Sequence, residues 1–147
     1  MEDRSYGLGV FPDDSVVLLC QAGSTDFPVV NSLQADNKGS VDGYLLILNA
    51  NDEMVFGSYF GGTLGDYPVG LAVMGNSAFV FTGYSSSSDL PLVKPTQSIK
   101  AEDTDGFLCI ILRTETSTFT DSMILIITGI VVVAAMVAVI AVIQRKK

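Results

Sequence analysis

The chain has 147 residues, with 16 acidic side chains against 8 basic ones and no histidine, and this length ordinarily corresponds to one domain. The negative charge argues against nucleic-acid binding, because too few lysines and arginines are present to neutralise phosphates. The absence of histidine excludes Ser-His-Asp and Cys-His nucleophile pairs and histidine-ligated zinc.

The charges are unevenly distributed along the chain. All 16 acidic residues precede residue 123, together with five of the eight basic ones, so the first 122 residues carry an excess of eleven negative charges. A solvated surface is the favoured interpretation of this acidity, with binding of a multivalent cation as the alternative.

The sequence repeats itself at an offset of 63 residues without a gap. Three pairs of matching segments carry most of the repeat: Gly7-Leu8 with Gly70-Leu71, Asp26-Phe27-Pro28 with Asp89-Leu90-Pro91, and Asp42-Gly43-Tyr44-Leu45 with Asp105-Gly106-Phe107-Leu108. A period of this size indicates a copied supersecondary unit, and such arrays usually present a surface rather than one reactive centre. We therefore predict two repeats, residues 1–63 and 64–113.

Short apolar runs between turn residues predict strands in each repeat. In the first repeat, the turn at 49–52 precedes a strand at 54–60, and a glycine-rich tail at 61–66 leads to the second repeat. There the runs 70–74, 78–82 and 107–112 read as strands, with a polar, proline-containing segment at 85–101. This pattern predicts an all-β protein of two tandem four-stranded antiparallel blades of the propeller type, the second incomplete.

Acidic residues recur with the repeat at Asp3/Asp66, Asp26/Asp89 and Asp42/Asp105. One interpretation is calcium ligation, and the run Asp103-Thr104-Asp105-Gly106 resembles part of a calcium loop, which makes Asp103 and Asp105 the candidate ligands. The twelve-residue spacing with its terminal glutamate is missing, however. The favoured alternative is that aspartate before glycine or proline fixes turns by accepting hydrogen bonds from backbone N–H groups.

Cysteines and aromatic residues are interpreted as core. Cys20 and Cys109 do not occupy equivalent positions of the repeat, so both read as small buried apolar residues, with one disulfide between them as the alternative. Most strand aromatics alternate as core residues do. Tyr44 and Tyr84 lie near strand ends and are the aromatics expected to reach a ligand if any does.

A stretch of 21 residues without a charge begins at Met123 and ends at Ile143. A helix of that length crosses a bilayer core, so a transmembrane helix is predicted at 123–143, behind a stalk rich in threonine and serine at 114–122. Arg145, Lys146 and Lys147 follow it, and the positive-inside rule predicts a cytoplasmic tail at 144–147 with the repeats outside the cell.

No cleavable secretory signal is visible at the start of the chain. Three interpretations remain open. The chain is part of a longer open reading frame, the C-terminal apolar stretch acts as a late signal, or the protein is tail-anchored with its repeats in the cytoplasm. The flanking charges disfavour the third.

Short motifs follow one another in the same order along both repeats. The second repeat carries Gly70-Leu71-Ala72-Val73, Gly75-Asn76, Phe81-Thr82-Gly83-Tyr84, Ser88-Asp89-Leu90-Pro91 and Asp105-Gly106-Phe107-Leu108, and the first carries Thr25-Asp26-Phe27-Pro28, Asp42-Gly43-Tyr44-Leu45 and Ser58-Tyr59-Phe60-Gly61-Gly62. Over about residues 3–113 the chain resembles the bacterial and archaeal SBBP family of β-propeller repeats. The resemblance implies a propeller-type fold in surface or secreted proteins and no defined reaction. Closed propellers have about 4–8 blades, so two blades predict a fragment, pairing with other propeller chains, or an open two-sheet stack.

The sequence thus predicts a non-catalytic, single-pass membrane protein that acts in binding, adhesion or cell-envelope structure. Expected partners are the lipid bilayer and other propeller-repeat chains or cell-surface proteins and glycans, with no nucleic acid. No cofactor is expected apart from the candidate calcium. The alternatives are a carbohydrate-active, hydrolytic propeller, for which no carboxylate pair stands out, and a tail-anchored cytoplasmic scaffold.

Overall fold

A computed structural model describes residues 2–97, 99–100, 103–113 and 138–141, the last four as backbone only. It contains two antiparallel sheets whose strands follow chain order. The first sheet consists of β1 (Arg4–Val10), β2 (Val16–Ala22), β3 (Asp42–Leu48) and β4 (Met54–Phe60), and the second of β5 (Asp66–Met74), β6 (Ala78–Ser85), β7 (Asp105–Leu112) and β8 (Ala138–Ala141).

The all-β prediction is confirmed, and the two sheets coincide with the two sequence repeats. The strand predicted at 54–60 has the bounds of β4, whereas β5, β6 and β7 extend beyond the predicted apolar runs. Asp105-Gly106, expected to precede a strand, lies inside β7. The aspartate before the glycine is therefore a strand residue, not a turn residue.

The predicted membrane helix at 123–143 falls mostly outside the described residues. Of that stretch the structure describes Ala138–Ala141, which form β8 and pair antiparallel with β7 between Leu108 and Ile111. Without β8, β7 would end the sheet with unpaired backbone groups, which a β-branched segment can satisfy. None of the described residues lies in a helix long and apolar enough to span a membrane.

Turns between neighbouring strands use residues that tolerate a left-handed backbone. Asp14 follows β1, Asp52 follows β3 and Gly75 follows β5, and all three have φ near +60°. Asn49 supports its turn by accepting hydrogen bonds from the N–H groups of Asn51 and Glu53, at 2.9 and 3.0 Å. Such side-chain acceptors replace backbone partners that the tight turn leaves unpaired.

One hydrophobic core is shared by both sheets. The first sheet contributes one face of its strands, and the second contributes the face turned towards it; the buried members are Phe11, Val17, Leu19, Leu45, Ile47, Phe56, Phe60, Phe79, Phe81, Phe107, Cys109 and Ile111. Neither sheet therefore has a complete core of its own, and the two repeats form one cooperative unit.

The loop that joins β2 and β3 covers part of the other face of the first sheet and leaves Leu8 and Val10 exposed. Phe27 from this loop packs on Tyr44 and Tyr59, with ring centroids 4.5 and 6.4 Å apart. The Tyr44 hydroxyl donates to the Pro28 carbonyl, and the Tyr59 hydroxyl accepts from the Phe27 N–H. Tyr44 is buried, so the expectation that it reaches a ligand is wrong.

The sheets approach most closely where β1 crosses β5, and two glycines permit the contact. An added Cβ at Gly7 would lie 2.8 Å from Leu71 Cβ, and one at Gly9 would lie 2.5 Å from Val73 Cγ2. Real Cβ atoms do not pack at these distances, so any larger residue at either position forces the sheets apart.

We expect Gly9→Val to lower the free energy of unfolding by about 2–3 kcal/mol, because overpacking at the sheet contact displaces β5. Gly106→Ala is the matched control, since an added Cβ there meets its nearest neighbour at an ordinary 3.8 Å. The measurement is urea unfolding of the full chain in mild detergent, followed by tyrosine fluorescence. Equal losses in the two variants would contradict the close approach.

Candidate binding surfaces

The segment that links the two sheets passes between two fully buried carboxylates, Asp42 and Asp66. Asp42 accepts hydrogen bonds from Gln34 Nε2 at 3.0 Å and from the N–H groups of Lys38 and Gly39 at 2.9 and 3.1 Å. Gln34 in turn accepts from the Gly61 N–H at 3.2 Å. Asp42 and Gln34 thereby fix both the β2–β3 loop and the linker.

Asp66, at the start of β5, holds the linker from the other side. Its carboxylate accepts hydrogen bonds from the Gly62 N–H at 2.7 Å, from Ser87 Oγ at 2.8 Å and from Ser85 Oγ. These donors come from the linker and from the end of β6 and the loop after it. Asp66 therefore fixes the linker, and with it the connection between the sheets, to the second sheet.

The burial of Asp42 raises the pKa of its carboxyl, the N–H of Lys38 lowers that pKa, and the nearby charge of Asp66 raises it; the net shift is upward. A folded-state pKa above the unfolded one means that the folded state binds the proton more tightly. The contribution of Asp42 to stability is thus fully present below the unfolded pKa and declines as the pH rises through the folded pKa.

Asp3 and Asp89, like Asp42, accept hydrogen bonds from backbone N–H groups. Asp89 accepts from the Thr63 N–H at 2.9 Å, and Asp3 accepts from the N–H groups of Gly23 and Ser24 at 2.8 and 3.0 Å. Hydrogen bonds from Thr63 lower the pKa of Asp89, and those from Ser24 lower the pKa of Asp3. Asp3 is exposed, whereas its equivalent Asp66 is buried.

In the second repeat, the counterparts of Gln34 and Asp42 line an open cavity of about 30 Å³. Its walls come from the end of β6, the β6–β7 loop and the start of β7, and include Ser87, Leu90, Gln97, Asp105 and Phe107. Gln97 Nε2 donates to the Ile99 carbonyl at 2.7 Å, which repeats the bond from Gln34 to the Asp36 carbonyl at 2.8 Å. This bond within the loop is thus present in both repeats.

The predicted calcium ligands lie beside this cavity. Asp105 is half-buried at the start of β7, and the backbone carbonyl of Asp103 accepts a hydrogen bond from Lys100 Nζ at 2.8 Å. An ammonium group at that distance opposes a bound cation. Within the part of the chain that the structure describes, no group of three or more Asp, Glu, His or Cys side chains is placed to hold a metal. Calcium binding stays a prediction.

Each sheet carries an apolar strip on the face that does not contact the other sheet. We call the strip on the first sheet the amino-terminal face; it consists of the exposed Leu8, Val10 and Val29 and of Leu18 and Leu46, which are half-buried beside Tyr44 and Tyr59. The strip on the second sheet is the carboxy-terminal face and consists of the exposed Met74 and Leu112 and of the half-buried Val80, Leu108 and Ile110. Leu8 is 64% exposed and Met74 is 51% exposed. Such faces are expected of two repeats, because an array of two units leaves one face of each unit without a neighbour.

Both cysteines are buried and unpaired, which confirms their interpretation as core residues. Burial raises the pKa of the Cys109 thiol; burial and the charge of Asp3 raise the pKa of Cys20. Since the thiolate is the reactive species, neither thiol is expected to react with a maleimide in the folded protein at pH 7. Mass spectrometry should find no modified thiol without denaturant and two with it. A native disulfide would leave none under either condition.

Comparison with protein-family models, with curated proteins and with solved structures finds no match for this chain. The functional interpretation therefore depends on the chain's own geometry.

Proposed function

We propose that the chain is a non-catalytic, membrane-anchored binding protein whose two sheets are blades of a larger propeller-type assembly outside the cell. The observation that carries this proposal is the pair of exposed apolar faces, one on each sheet. Faces of this kind, on strands whose repeat equivalents are buried, are typical of surfaces that another protein covers.

The chemistry of the buried carboxylates supports a non-catalytic role. Asp42 and Asp66 each accept several hydrogen bonds from loop, linker or serine donors. A carboxylate so engaged is occupied in holding structure, whereas a general base needs access to a substrate proton. The sequence has no histidine to supply an alternative base near neutral pH.

The membrane anchor in this proposal is the apolar stretch that begins at Met123, with Arg145, Lys146 and Lys147 on the cytoplasmic side. Insertion requires that Ala138–Ala141 leave β7, to which they are joined over four residue pairs. Burying an uncharged 21-residue segment in a bilayer outweighs such a short ladder.

Protease added to intact cells tests the proposal. An epitope tag inserted after Gly75, at the exposed turn between β5 and β6, should be cleaved from the surface, while a tag after Lys147 should survive and sediment with membranes. A protected Gly75 tag in membrane fractions would instead support the tail-anchored cytoplasmic scaffold. Recovery of both tags in the soluble fraction would contradict anchoring altogether.

A further inference from the structure

Within one chain, the two sheets meet through two different faces. The first sheet presents Val17, Leu45 and Ile47, which are fully buried at the contact. The second sheet presents Phe81 and Cys109, also buried, with Leu71 and Val73 packed beside them. The contact is therefore heterologous, because the face that the first sheet uses is not the repeat equivalent of the face that the second sheet uses.

Each exposed face corresponds, 63 residues away, to one half of this buried contact. On the amino-terminal face, Leu8, Leu18 and Leu46 form one row across β1, β2 and β3. Their equivalents in the second sheet are Leu71, Phe81 and Cys109, which pack against the shared core. The first sheet thus exposes the surface with which the second sheet makes its contact.

The carboxy-terminal face supplies the complementary half. Ala72, Val80 and Ile110 form one row across β5, β6 and β7. The equivalent row in the first sheet is Gly9, Val17 and Ile47, where the contact is made. Ala72 stands where the first sheet has Gly9, so its Cβ requires a covering sheet to lie farther from β5 than β5 lies from β1.

We propose that copies of this chain associate head to tail, with the carboxy-terminal face of one copy covering the amino-terminal face of the next. The inference rests on the proposed propeller-type assembly and names its partner as a second copy. Heterologous contacts of this kind generate a ring when the rotation closes. Because closed propellers hold about 4–8 blades, a ring would contain roughly two to four copies.

The contact between copies is weaker than the contact within a chain. Inside the chain, Arg113 pairs with Asp13 at 3.1 Å and lies over the Phe11 ring at 3.9 Å. The equivalents of Arg113 and Asp13 in the neighbouring contact are Ala50 and Asn76, which cannot form an ion pair. Copies are therefore expected to assemble and dissociate with concentration.

Sedimentation of the full chain in mild detergent tests the proposal. The wild type should contain assemblies of two to four chains, and Leu8→Glu should raise the dissociation constant by about tenfold or more by placing a charge on the apolar contact. Leu64→Glu is the matched control, because Leu64 is 53% exposed on the linker, outside both faces. Any association through the apolar stretch that begins at Met123 is the same in the wild type, Leu8→Glu and Leu64→Glu, so it does not affect the comparison. Equal assembly of wild type and Leu8→Glu would overturn the proposal, as would a wild type that stays a single chain.

Disulfide trapping keeps the proposal testable even if Leu8→Glu misfolds. An added Cβ at Gly7 lies 2.8 Å from Leu71 Cβ, so residue 70 of one copy is expected beside residue 8 of the next. A mixture of Leu8→Cys and Gly70→Cys proteins should form covalent heterodimers under mild oxidation, and a mixture of Leu64→Cys and Gly70→Cys should not. Crosslinking of Leu8→Cys only to itself would indicate a symmetric contact and refute the head-to-tail arrangement. Sedimentation and crosslinking do not depend on which side of the membrane the sheets occupy. They therefore test the head-to-tail association even if the protease experiment fails.

Discussion

Asp66→Ala is expected to lower the free energy of unfolding by about 3 kcal/mol, because it leaves the Gly62 N–H and the hydroxyls of Ser85 and Ser87 without their buried acceptor. The loss falls on the linker and on the end of β6 together, so the contact between the sheets should weaken as a whole. Urea unfolding of the full chain in detergent measures it, with the midpoint and slope compared with those of the wild type.

Asp3→Ala is the control for this variant. Asp3 occupies the same position of the repeat and also accepts bonds from backbone N–H groups, but it is exposed, and water can replace it. Its removal should cost far less than removal of Asp66. Comparable losses in the two variants would mean that the hydrogen bonds of Asp66 act locally and do not join the sheets.

Phe81→Ala is expected to lower the free energy of unfolding by about 4 kcal/mol. Phe81 is buried in the shared core, where its ring lies edge-on to Phe60 at 5.1 Å and to Phe107 at 5.9 Å. Truncation leaves a cavity between two sheets whose backbones are already in close contact, so little collapse is available to fill it.

Leu18→Ala provides the matched comparison, since Leu18 occupies the same position of the repeat on the half-buried amino-terminal face. In isolated chains at low concentration it should cost less than half as much as Phe81→Ala. Thermal and urea unfolding at two protein concentrations separate the effects. A loss at Leu18 that grows with concentration is the result expected if copies cover this face.

The repeat period and the alternation of apolar residues predicted most of the fold. Met54–Phe60 was predicted with its bounds, because a turn at 49–52 precedes it and a glycine-rich segment follows it. The extra length of β5 was not predicted, because the apolar run begins only at Gly70, whereas the strand begins at Asp66 and holds Pro68 beside a β-bulge between Pro68 and Gly70.

Burial was harder to predict than strand position. Identical positions of the repeat differ in exposure, as Leu8 and Leu71 do, because burial depends on which neighbour is present and not on the residue. Tyr44, one of the two aromatics expected to reach a ligand if any did, is buried because Phe27 from the β2–β3 loop covers it. Ala138–Ala141 were expected in a helix, and a run of valine, isoleucine and alanine suits a strand equally well when an open edge lies nearby.

The sharing of one core between the two sheets has a consequence for biosynthesis. Each hairpin joins strands close in the chain and can form early, but Phe60 finds Phe81 and Phe107 only after the second repeat has left the ribosome. Until then the nascent first sheet exposes the apolar face that the second sheet later covers. We expect the growing polypeptide to be most vulnerable to misassociation in that interval, and to rely on chaperones there more than at any later stage.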